Sequence, residues 1–235
     1  MLNLSRKELI DAIKARHSVR SYIAGKVIEQ SKVERLTEAM NSINETYPQL
    51  SFRLVLNEPK AFSGFASYGQ FKGVENYLVI TGEKGKDTDV ICGREGEKLV
   101  LLAQCLGLNT CWVGLTYKKV SGAFEIPQDN KIRCVIALGY GENQMSRAHK
   151  VKSPEQVSNL TADSPEWFRN GIEMALLAPT AINQQKFRFD LTPEGRVKAK
   201  AGSSLAGYTR IDLGIAITHF LIGADKDESI IDVTE

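Results

Sequence analysis

Long apolar runs, paired cysteines and any strong excess of one charge are all missing from this sequence. No stretch approaches the roughly 20 apolar residues that span a bilayer. The longest apolar helix candidate is interrupted by His219, and another by Gln104. No membrane association is therefore expected. The only cysteines are Cys92, Cys105, Cys111 and Cys134; none forms a Cys-x-x-Cys pair, and three fall in apolar stretches. They read as buried thiols in a reducing compartment, so neither disulfides nor a metal site is expected. A net charge of +2 gives no bulk reason to expect nucleic acid as a partner. The opening MLNLSRKELI turns amphipathic at once and lacks the basic-then-apolar layout of a signal peptide, so the expected location is cytoplasmic.

What is present suits a folded domain. Hydrophobic residues make up 43% of 235, enough to bury a sizeable core. Ser5-Arg-Lys-Glu8 has the form of a capping box, in which a hydroxyl and a carboxylate satisfy orphan amides at a helix start. Ser31-Lys-Val-Glu34 repeats it before Val33, Leu36 and Met40. Strands are expected over 51–56, 77–80, 132–138 and 187–191. A long helix is expected from about Asp89 to Leu106, closed by Gly107. Residues 142–163 are polar and contain Pro154, and read as a connector. Ser164-Pro-Glu166 then predicts an N-cap, a proline at N1 and an acid in the first turn of a helix that stops before Pro179. A last apolar helix is expected over 212–224. The connector splits the chain at about residue 155 into a longer half, 1–155, and a shorter half, 156–235, of similar rhythm.

Three constellations carry chemistry. Arg16-His17-Ser18-Val19-Arg20 places two guanidiniums and a hydroxyl just beyond a helix end. The planar guanidinium fork suits phosphate oxygens, and the serine adds a directional donor; the bland alternative is a solvated basic turn that complements the helix dipole. Lys150-Val-Lys152-Ser-Pro154, preceded by Arg147 and His149, offers point charges that could close over a dianion, or is simply a solvated run. Ala178-Pro-Thr-Ala-Ile-Asn183-Gln-Gln185 puts a hydroxyl and amides into one short loop. It is either an ordinary polar connection or a match for the edge of a heterocycle.

Taken together, these segments resemble the FMN-dependent nitroreductase family. Arg16 to Arg20 resembles its Arg-x-Ser-x-Arg segment, and Ala178 to Phe187 its Ala-Pro-Ser-x-x-Asn-x-Gln-Pro-Trp loop. Leu106-Gly-Leu-Asn-Thr-Cys-Trp-Val-Gly114 resembles its Leu-Gly-Leu helix end and following strand. Ile136 to Gly141 and Lys150 to Pro154 resemble its Gly-Tyr strand exit and phosphate clamp. The order departs from ordinary members, because the Pro-Ser-like loop follows the clamp. That order is similar to a single-chain, pseudo-dimeric branch in which two degenerate halves keep one site.

The resemblance implies an α+β fold, with a central mainly antiparallel sheet flanked by helices, and an internal pseudo-dimer acting as a monomer. It implies FMN as cofactor and NAD(P)H as electron donor, with ping-pong reduction of nitro-aromatic, quinone or similar electron-poor small-molecule acceptors. By position, Arg16, His17, Ser18 and Arg20 would hold the FMN phosphate, with Lys150 and Lys152 closing over it. Pro179, Thr180, Ala181 and Asn183 would border the ring and ribityl chain, with Gln185 nearby. Gly114 and Leu115 would present backbone N–H groups near its reactive edge, and no side chain acts as nucleophile. Three departures bear on detail: Thr180-Ala181 replaces a serine pair, Lys186-Phe187 replaces Pro-Trp, and Gly114 stands where many members carry an acid. The alternatives are an FMN-binding protein without turnover, or another flavin reaction such as dehalogenation or flavin cleavage.

The aromatic stretch Ala61 to Phe71 reads either as a lid hinged at Gly64 and Gly69 or as a hydrophobic cluster under the sheet. Trp112 and Trp167 read as core, His219 as a buried, hydrogen-bonded histidine and His149 as a surface one.

Overall fold

The computed structural model describes residues 4–63, 70–143, 150–203 and 207–234. Helix α1 (Arg6–Ala15) opens on the expected capping box: Ser5 N–H donates to Glu8 Oε2 at 2.8 Å, and Glu8 N–H to Ser5 Oγ at 3.3 Å. The second box does not form. Helix α2 (Gln30–Thr46) starts from Glu29, and Ser31 lies inside the first turn. Glu29 is fixed there by the Tyr140 hydroxyl, which donates to its carboxylate, and by Lys32 at 3.1 Å.

The chain divides into two compact units: residues 15–88 and 99–143 form one, and residues 4–14, 89–98 and 150–234 the other. The first unit holds strands β1 (Leu50–Val55), β2 (Asn76–Gly82), β3 (Asn109–Val113) and β4 (Lys131–Gly139). They pair antiparallel throughout in the order β1-β2-β4-β3. Every residue of β2 is buried, which is why Tyr77 to Ile80 reads as a continuous apolar run and not as an alternation. Helix α2 is tied to β1 by Asn44, whose amide donates to Phe52 O and accepts from Phe52 N–H.

Helix α3 (Lys86–Cys105) closes as expected at Gly107, which takes φ +74°. Gly107 N–H reaches Gln104 O at 3.0 Å and Leu108 N–H reaches Ala103 O at 2.8 Å, so the last carbonyls are satisfied before β3 begins. Of the aromatic stretch, Phe62 and Phe71 are buried edge to face at 5.1 Å, with Tyr77 beyond at 5.7 Å. These two belong to the core cluster. Gly64 and Gly69 lie outside the described residues, as do Arg147 and His149.

The second unit holds β5 (Phe187–Leu191), β6 (Val197–Ala201) and β7 (Ile231–Thr234) in that order, antiparallel between β5 and β6 and parallel between β6 and β7. The expected connector contains a short helix, α4 (Pro154–Val157), with a capping box of its own from Ser153 and Gln156. Helix α5 (Glu166–Ala175) has Pro165 and not Ser164 at its N-cap, because the Ser164 hydroxyl accepts from Thr161 N–H at 3.0 Å. Helix α6 (Thr209–Ala224) is apolar all round because it is buried on nearly every side. Phe220 stacks on Phe189 at 4.9 Å and meets Phe168 edge-on at 5.8 Å.

The expected α+β class and mainly antiparallel pairing hold, with the strands shared between two sheets flanked by helices. Among the described residues no helix is long and apolar enough to cross a membrane. Cys92, Cys111 and Cys134 are buried and Cys105 is exposed; Trp112 and Trp167 are half-buried.

His219 is fully buried on α6, as read from the sequence. Its Nε2 lies 2.8 Å from Glu97 Oε1, also fully buried, and its Nδ1 lies 3.2 Å from Met174 O. His219→Ala removes both contacts and leaves a cavity, so a loss of about 2–4 kcal/mol in urea unfolding is expected. Unchanged stability would mean that the pair is not a structural tie.

Candidate functional site

In the first unit the chain leaves α1 and runs extended beside β3. Val19 N–H donates to Thr110 O at 3.0 Å, and Ser18 pairs with Thr110 as a parallel bridge. Extended backbone has a period of two, so Arg16, Ser18 and Arg20 share one side while Val19 turns into the core. The surroundings of Cys111 agree. Burial pushes its thiol up, while Arg20, a hydrogen bond from Ser18 and Arg16 pull it down. The two guanidiniums and the hydroxyl thus all act on one strand residue.

Arg20 is exposed and makes no ion pair or hydrogen bond through its side chain among the described residues. Arg16, His17 and Ser18 are half-buried, with His17 Nδ1 3.4 Å from Ala15 O. Beyond Arg20 the segment is clamped by Lys72: Lys72 N–H donates to Arg20 O and Tyr22 N–H to Lys72 O. Gly141 is needed at this point. A Cβ there would come within 3.0 Å of Val19 and 2.9 Å of the Asn109 amide oxygen, which accepts from Gly141 N–H. The Gly-Tyr-Gly strand exit therefore seats the basic segment.

At the other end of β3 stand Gly114 and Leu115. Gly114 lies four positions beyond Thr110, a span of about 13 Å along an extended chain. Leu115 is 74% exposed, a large apolar side chain left in solvent beside the strand end.

In the second unit the Ala178 to Gln185 loop follows α5. Ile182, Asn183 and Gln185 take φ of +48°, +53° and +47°. Asparagine tolerates this region, but a β-branched isoleucine does not, and each such residue costs about 1–3 kcal/mol. Ile182 is also 95% exposed, so its own packing offsets none of that strain. The loop is held instead by its neighbours. Gln185 N–H donates to Thr180 Oγ1 at 3.0 Å, and the buried Gln185 amide accepts from Lys152 N–H at 2.8 Å and donates to Leu176 O at 3.3 Å.

Lys152 Nζ donates to Gln185 O and Asn183 Nδ2 to Lys150 O, both at 2.8 Å, so the Lys150–Lys152 strap and the loop form one hydrogen-bonded piece. Lys150 remains exposed, and Pro179, Thr180 and Ala181 are half-buried. The sequence offered no sign of one participant, Asp212 in the first turn of α6. Its buried carboxylate accepts from Ala181 N–H at 3.0 Å and from Gln184 Nε2 at 3.3 Å. An acid near a helix start reads from sequence as a dipole partner, and only the fold shows the loop it grips.

The chain has a nitroreductase-like fold, α+β with mainly antiparallel sheets flanked by helices. The chain belongs to the family described as "Putative TM nitroreductase", which it matches over residues 8–224. A nitroreductase from Thermotoga maritima MSB8, itself described as putative, is similar with a TM-score of 0.64 and 23% identity, over 94% of this chain and 85% of that one. Nitroreductase A from Vibrio parahaemolyticus RIMD 2210633 is similar with a TM-score of 0.52 and 16% identity, over 67% and 78%. The NfrA1 nitroreductase of B. subtilis follows at 0.51 and 12%, over 66% and 74%. At these identities the likeness is one of fold. No curated protein matches the sequence.

Proposed function

We propose that the chain is an FMN-dependent NAD(P)H oxidoreductase that reduces nitro-aromatic, quinone or similarly electron-poor small molecules in the cytoplasm, working as a monomer. The observation that carries this reading is the Arg16–Arg20 segment, bridged to β3 at Ser18 and Thr110, whose two guanidiniums and hydroxyl lie near enough to act on the Cys111 thiol. When bound, FMN supplies the redox chemistry, taking hydride from NAD(P)H and giving it to the acceptor.

The chain's own residues bind and orient. Arg16, His17, Ser18 and Arg20 hold the phosphate, the guanidinium forks matching its oxygens. Lys150 and Lys152 add positive charge; an ammonium has three donors, so Lys152 can keep its bond to Gln185 O. Pro179, Thr180, Ala181 and Asn183 form a wall for the ring, with Gln185 fixing that wall from beneath. Gly114 and Leu115 offer backbone N–H to the ring edge, where donors favour added negative charge.

An absorbance spectrum of the chain reconstituted with FMN tests this. Flavin bands should bleach on anaerobic NADPH or NADH and return when an acceptor such as a quinone is added. Rates at several fixed acceptor concentrations should give parallel double-reciprocal lines, as one site used in turn requires. Flavin that binds and never bleaches would overturn the reductase reading and leave a flavin-binding module. Failure to bind FMN would overturn the proposal as a whole.

A further inference from the structure

We propose that Asp212 is the positioning residue of the 179–185 loop, its carboxylate accepting from Ala181 N–H and the Gln184 amide to hold a strained backbone facing the flavin. The consequence for flavin rests on the function proposed above; the grip on the loop does not. Ala181 and Gln184 flank Ile182 and Asn183, two of the three residues at positive φ. The other anchors, Thr180 with Gln185 and Gln185 with Lys152, join the ends of the loop. Asn183 with Lys150 ties its centre to a segment that is itself exposed. Asp212 alone among these anchors stands on a buried helix, α6, and it is the one carboxylate among them.

Keeping a carboxylate there opposes folding. Burial pushes its carboxyl up to about 6, against the pull of the Ala181 and Gln184 hydrogen bonds. A folded value above the unfolded one means that the stability linked to this group is present below the unfolded value. It is lost as pH rises through about 6, so near neutrality the ionised form works against the fold. Charged groups on the adjoining segments have other engagements: Arg94 from α3 pairs with Glu95 and Glu228, and Lys186 past the loop donates to Ser203 O, while Arg210 lies two residues earlier on α6. A buried acid held at that disadvantage, with both oxygens aimed at one loop, serves the loop more than the core.

The test uses the full chain without flavin and follows amide exchange across residues 178–186 by mass spectrometry. At pH 8, Asp212→Ala should raise exchange about tenfold or more over wild type, the loss of a charge-assisted hydrogen bond. Asp212→Asn can accept through one oxygen only and should lie between. Lowering the pH through about 6 should bring wild type, corrected for intrinsic exchange, towards the Asp212→Asn level, while that variant stays level. The melting temperature of Asp212→Asn at pH 8 should be no lower than wild type.

FMN affinity, measured in parallel, should fall about tenfold in Asp212→Asn at pH 8, with the gap closing below pH 6. The phosphate of FMN titrates in the same range, so the ratio of the two proteins is the quantity compared. Wild-type exchange in Asp212→Ala, a shared pH profile for wild type and Asp212→Asn, or a lowered melting temperature in Asp212→Asn would overturn the proposal. If wild type binds no FMN, the functional reading falls while the exchange data still decide the role of Asp212.

Discussion

Gly93→Ala and Gly214→Ala should each destabilise the protein by about 3 kcal/mol, and the double variant should fail to fold. A Cβ on Gly93 would sit 2.0 Å from Ile211 O, and one on Gly214 would sit 2.0 Å from Val90 O and 2.8 Å from Arg94 N. The obstructing atoms are backbone on both sides, so no rotamer change relieves the clash and the helices must part by an ångström or more. Overpacking a core costs about 1–3 kcal/mol when side chains can yield, and this contact stands at or above the upper end. The sign is not automatic, because glycine to alanine within a helix gains about 1 kcal/mol by propensity alone. The clash must therefore outweigh that gain. Urea unfolding followed by far-ultraviolet circular dichroism decides it, against a total stability on the order of 5–15 kcal/mol. An alanine variant as stable as wild type would show that α3 and α6 do not cross backbone to backbone. The crossing also bears on function, since Asp212 lies between Ile211 and Gly214, and a helix displaced there carries its carboxylate away from Ala181.

The sequence made the helices and buried strands legible where local chemistry decides them. Ser5 with Glu8 gave the first helix start, Gly107 the end of α3, and the apolar run in β2 its full burial. It misled where a tertiary partner outbids the local signal. Ser31 looked like an N-cap, but Glu29, anchored to Tyr140 and Lys32, caps the helix two residues earlier. Ser164 spends its hydroxyl on Thr161 and leaves Pro165 at the cap. Strand β7 is four residues long and pairs parallel with β6 across an intervening helix, so nothing nearby announces it. The site divides in the same way. The spacing of Arg16, Ser18 and Arg20 was readable because an extended segment repeats every two residues. The left-handed backbone at Ile182 and Gln185 was not, since neither residue type favours it and the anchors that enforce it come from residues 152, 176 and 212.

Replacing both arginines of the basic segment should weaken FMN binding by about 10²- to 10⁴-fold while leaving the fold in place. Each guanidinium lost removes a charge-assisted hydrogen bond of about 1.5–3 kcal/mol, and about 1.4 kcal/mol corresponds to a factor of ten. Arg20 is exposed and Arg16 half-buried, so the thermal transition of Arg16→Ala/Arg20→Ala should stay close to wild type. Fluorescence titration with FMN gives the affinity, and inorganic phosphate provides a second readout. It should compete with FMN in wild type and lose most of that effect in the variant. Lysine at both positions preserves the charge but not the planar fork, and should fall between the two. A general electrostatic attraction would instead leave the lysine variant equal to wild type and make binding depend on salt alone. Undiminished flavin content in the alanine variant would sink the assignment of the phosphate to this segment. The Arg16–Arg20 segment would then be an ordinary basic turn at the end of α1, and the flavin would have to be held from the second unit by Lys150, Lys152 and the 179–185 loop.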